Sequence, residues 1–172
     1  MLKNNWRPTA SIDVLKERAK LYQEIGHFFA QRDVWEVETP LLGLTNSPDP
    51  HIEPFTVHMK NDRFCLQTSP EFYMKRLLAA GSGSIYQMCK AFRKSEIGRN
   101  HNPEFTMLEW YHVGWTHEEL IHEVEELLRI ILNVSKIMHF TYSALFQEFL
   151  AINPLHATEQ ELKQKALALY PH

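Results

Sequence analysis

Between Ala91 and Tyr111 the chain reads AFRKSEIGRNHNPEFTMLEWY, and its residue types suit the joint handling of an anion and an amine. Side chains alternate across a strand, so Phe105, Met107, Glu109 and Tyr111 share one face of EFTMLEWYHV. A carboxylate between Met107 and Tyr111 is costly on such a face unless something cationic meets it. Arg93, at the end of the preceding strand-like segment, and Arg99 and His101, in the polar connection, carry donors for phosphate or carboxylate oxygens. One hairpin thus offers an aromatic plate, anion-binding groups and an ammonium acceptor, the parts needed to hold ATP beside an amino acid. The competing account pairs Glu109 with a core arginine and leaves the loop charges solvated.

Those side chains need a scaffold. A first helix is expected after Ser11, with Leu15, Ala19, Tyr22, Ile25 and Phe29 on one stripe, ending near Arg32–Asp33. VWEVETP (34–40) then reads as a short strand stopped by Pro40, and Pro48 and Pro50 mark a loop. IEPFTVHM and RFCLQT, separated by Asn61–Asp62, read as a hairpin. Ser69 is the candidate N-cap of the next helix, Pro70 its first residue, and Gly81 its close. SIYQMCKAF (84–92) and the strand at 104–113 form an antiparallel hairpin with an unusually charged connection. Thr116 with Glu119 makes a capping box, and Leu120, Val124, Leu127, Leu128 and Ile131 form the buried face of the helix behind it. Thr158 with Glu161 repeats the device for a helix ending at Tyr170–Pro171. No strand follows, so a half-built sheet is expected.

At 172 residues the chain fills one core and not several, and neither repeats nor a Gly/Ser linker divide it; a single domain over 1–172 is the reading. Hydrophobic residues at 44% and charged residues at 23% exclude a disordered chain. A net charge of −3 argues against a general nucleic-acid-coating protein, but it hides an asymmetry. From Arg63 to Asn102 seven Lys/Arg face only Glu71 and Glu96, a local +5 that leaves −8 elsewhere, which fits a compact anion such as a nucleotide. Cys65 and Cys89 form no CxxC and read as reduced core thiols, and the N-terminal segment lacks the apolar run of a signal peptide, so a cytoplasmic protein is expected.

The ordered string closely resembles motif 2 of class II aminoacyl-tRNA synthetases: an FRxE-type strand end at Phe92–Arg93, a variable loop at 94–100, and an (R/H)xxxF strand from His101 to Phe105. HNPEFTMLEWY is similar to the lysine-specific subgroup, the first helix with VWEVETP to motif 1, and TSPEFYMKRL (68–77) to the family's amino-acid-binding segment. The resemblance implies an α+β fold: a class II synthetase-like antiparallel sheet flanked by helices, incomplete, with motif 1 at about 12–40, motif 2 at about 84–113, a helical tail at about 116–170 and motif 3 absent. It implies ATP with Mg²⁺ as cofactor, and no metal ligands in this chain, the acidic ones belonging to the segment before motif 3. Carried over, Ser69, Pro70 and Glu71 face the amino acid, with Glu71 accepting from its α-ammonium. Arg93 is the catalytic residue, bridging the substrate carboxylate and the α-phosphate. Arg99 and His101 reach the outer phosphates, Asn102 the adenine region, and Phe105 stacks on adenine. Glu109 and Tyr111 accept and orient a lysine side-chain ammonium. This sequence departs from the pattern at Ser95, where the family has glutamate, with Glu96 one place later; backbone groups of Lys94 and Ser95 then stand in for that adenine contact.

Motif 1 begins within about a dozen residues of Met1, leaving no room for the anticodon-reading OB-fold of a lysyl-tRNA synthetase. The resemblance therefore points to the branch without that domain, the elongation factor P–(R)-β-lysine ligases. It implies elongation factor P as acceptor, lysine or β-lysine as substrate, a motif 1 homodimer, and neither tRNA nor membrane as partner. Two rivals stay open: a truncated, non-catalytic dimerisation or ligand-binding module, and a fragment of a lysyl-tRNA synthetase. HEELIH (117–122) is set aside as a zinc site, because histidines five apart lie about 140° apart around a helix. Glu118, Glu119, Glu123, Glu125 and Glu126 read as the wet side of their helix, and His27, His51, His58, His112 and His139 receive no role.

Overall fold

The computed structural model describes residues 6–170, in two compact units, one up to Leu132 and one from Asn133 onward. The first carries the chemistry. Ser11 caps α1 (Ile12–Ala30), its hydroxyl accepting from the Val14 amide at 3.3 Å. The helix buries Ile25, Phe28 and Phe29; Leu15 and Ala19, expected on the buried stripe, are exposed, because only the C-terminal half of the helix meets the sheet. Asp33, at φ 57°, turns the chain into β1 (Trp35–Glu36). The strand expected over 34–40 is this short because only Trp35 and Glu36 pair, with Ile85 and Tyr86, before the chain departs.

Two sheets follow. β2 (Leu42–Gly43), β3 (Thr56–Met59) and β4 (Asp62–Leu66) form an antiparallel sheet in the order β2-β4-β3. Met59 pairs with Asp62, so the turn falls on Lys60–Asn61, one place earlier than expected, with Lys60 at φ 54°. β5 (Ile85–Phe92) and β6 (Glu104–Tyr111) pair antiparallel in full register from Ile85↔Tyr111 to Phe92↔Glu104. β1 lies parallel to β5, so this sheet, in the order β1-β5-β6, is mixed rather than wholly antiparallel. The 48 residues between Glu36 and Ile85 include a helix and a hairpin, the long crossover that a parallel pair requires. α2 (Glu71–Ala79) starts one residue later than expected: Pro70 occupies the N-cap and no side chain caps the helix, while Gly81, at φ 86°, does close it.

α1 and α3 (His117–Leu132) cover one face of the main sheet. Phe29 stacks on Tyr86 at 4.5 Å and tilts on Trp110 at 5.5 Å, and Leu127 of α3 completes the cluster. The Thr116–Glu119 capping box is present, the Glu119 carboxylate accepting from the Thr116 amide at 2.7 Å. The face of α3 differs from expectation: Leu120 and Leu128 are exposed and Glu123 is 2% exposed. Glu123 is no wet-side residue. It accepts from the Trp110 indole at 2.9 Å, meets His112 Nε2 at 2.8 Å and lies 3.7 Å from Arg32 Nε.

The second unit holds α4 (Tyr142–Leu150), which the sequence reading lacked, and α5 (Glu159–Leu169), which carries the expected Thr158–Glu161 capping box. Thr141 caps α4, accepting from the Ala144 amide at 3.1 Å. No helix among the described residues is long and apolar enough to cross a membrane.

Candidate active site

The register of β5 and β6 sorts their side chains. Tyr86, Met88, Leu108 and Trp110 pack toward α1 and α3, so Gln87, Cys89, Phe105, Met107, Glu109 and Tyr111 belong to the opposite face. α2 closes one end of that face, buried Met74 packing on Ile85 with Tyr111 against them. Phe105 and Glu109 are four strand residues apart, about 13 Å at ~3.3 Å each.

At the end of the face beside α2, Tyr111 donates its hydroxyl to Glu109 at 2.6 Å. Burial is the main cause that lifts the Glu109 carboxyl above the ordinary glutamate range; the Tyr111 hydrogen bond opposes it, Glu71 reinforces it and Lys75 opposes it. Burial, then the Glu109 hydrogen bond and charge, push the Tyr111 phenol up as well, so it stays a donor. Among the described residues the cation acting on Glu109 is Lys75 and not the arginine of the core-pair account, and the Lys75 ammonium bonds Glu71 at 2.5 Å one turn along α2. Ser69 lies half-buried just before this helix and Pro70 is buried at its cap.

At the other end, Arg93 follows directly on β5 with its amide bonded to Pro103 O at 2.9 Å. Its guanidinium donates to Thr68 O at 3.3 Å and to Glu96 at 3.2 Å, and its carbon stands 5.1 Å from the centre of the Phe105 ring. Arginine and aromatic plate, read separately from the sequence, are thus in contact. Glu96 points at Arg93, and Lys94 and Ser95 are both tied to Glu53: Lys94 by amide and ammonium, Ser95 by its hydroxyl at 3.2 Å. Those side-chain bonds from Lys94 and Ser95 hold the exposed Glu53 carboxyl below its usual range. Arg99, His101 and Asn102 are exposed around a tight turn in which Gly98 and His101 exchange backbone hydrogen bonds.

Between the two ends lies a polar cluster that the sequence reading missed. Asn46 Oδ1 accepts from the amide and hydroxyl of Thr68 at 3.2 and 3.1 Å, fixing the carbonyl that holds Arg93. The Gln67 side-chain amide donates to Lys90 O at 2.9 Å and to Cys89 Sγ at 3.3 Å, and its backbone carbonyl accepts from the Phe92 amide, so it stands in for a strand neighbour beside β5. Gln67 and Thr68 directly precede the Ser69–Pro70–Glu71 segment, and position was their only sequence signal. Asn46 and Glu53 gave none, since their roles depend on loops meeting across the site, and Lys75 stood only as one residue of TSPEFYMKRL and of the basic stretch. Burial pushes the Cys89 thiol up despite the Gln67 bond, which disfavours its thiolate. Among the described residues no group of three or more His, Cys, Asp or Glu is placed to hold a metal.

An antiparallel hairpin with an arginine over an aromatic plate at one end and a half-buried carboxylate at the other defines a class, and the sequence comparison agrees. The chain belongs to the family described as tRNA synthetases class II (D, K and N), which it matches over residues 4–166. Within that family it is similar to proteins named elongation factor P–(R)-β-lysine ligase. The one from Vibrio cholerae serotype O1 is 47% identical over 175 residues, covering 98% of this chain and 54% of the relative. Those of Vibrio vulnificus and Pseudoalteromonas translucida are 48% and 47% identical, covering 53% and 52% of the relatives. The chain spans about half the length of the curated relatives it matches.

Proposed function

We propose that this chain forms the lysine- and phosphate-binding half of an ATP-dependent ligase, which joins lysine or (R)-β-lysine to AMP and passes it to a lysine of elongation factor P in the cytoplasm. The observation that carries the reading is one sheet face with the Glu109–Tyr111 pair at one end and Arg93 over Phe105 at the other. The names of the relatives supply the acceptor.

The anion end fits a triphosphate. Arg93 engages Thr68 and Glu96, and only Glu96 has to turn away for the guanidinium fork to face phosphate. Arg99 and His101, exposed beside it, are the residues to hold the outer phosphates, with Asn102 and the backbone of Lys94 and Ser95 toward the base and Phe105 beneath it. ATP, when bound, would supply the adenylyl group: the amino-acid carboxylate forms a bond to the α-phosphorus as the bond to the bridging oxygen breaks and pyrophosphate leaves. Arg93 lines up the two and stabilises the charge that develops between them. Glu71 accepts the α- or β-ammonium and Glu109 the side-chain ammonium, oriented by the Tyr111 hydroxyl. An uncharged analogue leaves Glu109 with the Tyr111 hydroxyl but no substrate ammonium, and rejection on that basis reaches factors on the order of 10⁴. The Mg²⁺ that accompanies ATP in this family finds no acidic cluster among the described residues.

The test is lysine- or β-lysine-dependent exchange of labelled pyrophosphate into ATP. The 172-residue chain by itself is expected to exchange at background level, since it carries one arginine clamp and lacks the motif 3 counterpart. Joined to the C-terminal half of the Vibrio cholerae relative, it is expected to exchange and then to label elongation factor P. Robust exchange by the short chain would overturn the half-site reading; labelling of tRNA in place of elongation factor P would overturn the acceptor.

A further inference from the structure

The amine end of the site already contains a cation. Lys75 lies one turn after Glu71, on the helix whose Met74 packs beside Ile85 and Tyr111, and its ammonium bonds the Glu71 carboxylate at 2.5 Å. Both side chains are about half exposed, and an exposed i, i+4 ion pair is weak and easily exchanged. The two residues also line a cavity of about 370 Å³ together with Phe72, Ser47, Pro48 and Asp49. Asp49 accepts from the His51 amide at 2.9 Å through Oδ1 and presents a second carboxylate to that cavity. Charge counting sets the problem. Glu71, Glu109 and Asp49 against Lys75 leave a corner of net −2, enough for two further ammonium groups. The field of Lys75 reaches Glu109 and opposes the effect of Glu71 there.

We propose that Lys75 is the resident counter-ion of the amine site, held by Glu71 in the free chain and released toward Asp49 when a substrate ammonium takes Glu71, so that the site selects ligands carrying two ammonium groups. The inference rests on reading Glu71, Glu109 and Tyr111 as the amine site, and it adds the exchange that loading this site requires. A ligand with one ammonium either leaves Glu109 without a substrate cation or displaces Lys75 without filling both carboxylates. A diamino acid satisfies Glu71 and Glu109 together and sends Lys75 to a carboxylate across the same cavity. Lys75 is thus a specificity-determining residue that competes with the substrate's own ammonium.

Carboxyl-detected NMR on the 172-residue chain, with Lys75→Met, Asp49→Asn, the double variant and Glu109→Gln, tests this. Lys75→Met keeps side-chain length and helix propensity while removing the charge. Without any ligand, the Glu109 midpoint is expected to move to higher pH in Lys75→Met, since the cation opposing protonation is gone. On titration with lysine, Lys75→Met is expected to bind about 3–10-fold tighter, and Asp49→Asn several-fold weaker. Asp49→Asn should have no effect in the Lys75→Met background, and ATP affinity should stay constant throughout. A Glu109 midpoint unmoved by Lys75→Met overturns the proposal even where lysine affinity is too low to measure, as does additivity of the two substitutions. Lysine affinity unaffected by Glu109→Gln sinks the underlying amine-site reading instead, and the two failures are therefore separable.

Discussion

Glu109 sits on a strand face between Met107 and Tyr111, and its carboxyl takes up a proton more readily there than in an unfolded chain. The sign of the consequence follows from linkage. A raised folded-state pKa contributes stability that is fully present below the unfolded value, roughly 4.3, and is lost as pH rises through the higher folded value. Glutamine at 109 still accepts from the Tyr111 hydroxyl and cannot titrate. Glu109→Gln should therefore gain on the wild type progressively as pH rises above about 4, as followed by urea denaturation at a series of pH values. Parallel curves for the two chains would show that the site exerts no such strain. The same substitution should weaken lysine binding by roughly 1–3 kcal/mol while leaving ATP affinity unchanged, stability and function moving in opposite directions at one residue. Strand alternation made the Phe105–Glu109–Tyr111 face legible in advance, because a period of two needs no knowledge of the rest of the fold. Its partners were not legible. Which cation approaches Glu109 depends on where α2 lands, and Lys75 reaches the site only through the packing of Met74 on Ile85.

Among the elements, α1, β6 and α3 converge on Glu123, a carboxylate that i, i+4 reasoning assigned to solvent. Trp110 and His112 approach it from the end of β6 and Arg32 from the segment after α1, while His112, 4% exposed, stacks on Trp115 at 3.6 Å. Helical periodicity could not reveal this, since three separate segments supply the polar atoms that make burial tolerable. Removing one member of such a buried group strands the others. Glu123→Leu is expected to cost about 3–5 kcal/mol, and Glu123→Gln, which keeps an acceptor for the Trp110 indole, about 1–3 kcal/mol. Chemical denaturation should show a lower midpoint with an unchanged slope. A loss under about 0.5 kcal/mol for Glu123→Leu would mean that the knot contributes nothing net, as some buried ion pairs do. Local signals did better wherever the chemistry is local: the Ser11, Thr116 and Thr158 caps all stand where side-chain spacing put them. α4 escaped because YSALFQEFL is apolar on most of its circumference, although its Thr141 cap is the same kind of signal. Ser69 misled for the opposite reason, as Pro70 takes the N-cap itself.

At the scale of the whole molecule, the first unit leaves apolar surface uncovered along α1 and β1. Ile12, Val14 and Leu15 on the N-terminal half of α1 are exposed, as is Trp35 at 53%, although its indole donates to Ser82 O at 3.0 Å and so holds the ring in one orientation. The same helix carries three acidic and three basic residues, Asp13, Glu17 and Glu24 with Lys16, Arg18 and Lys20, so a copy of it can be met with opposite charges opposed across a two-fold axis. A fixed aromatic beside aliphatic side chains loses little entropy on docking, which favours it as an anchor. We therefore expect a homodimer through α1 and the segment ending at Pro40. Burying one such side chain contributes about 1.5–3 kcal/mol, so Leu15→Glu, counted on both protomers, should raise the dimer dissociation constant by at least about a hundredfold. Sedimentation velocity from nanomolar to high-micromolar concentration gives the answer. Because residue 15 lies on the exposed half of α1, away from Ile25, Phe28 and Phe29, the variant should keep the wild-type denaturation midpoint when both are monomeric. A wild-type chain that sediments as a monomer at the highest concentration would refute the interface. A dimer indifferent to Leu15→Glu would place it on another face.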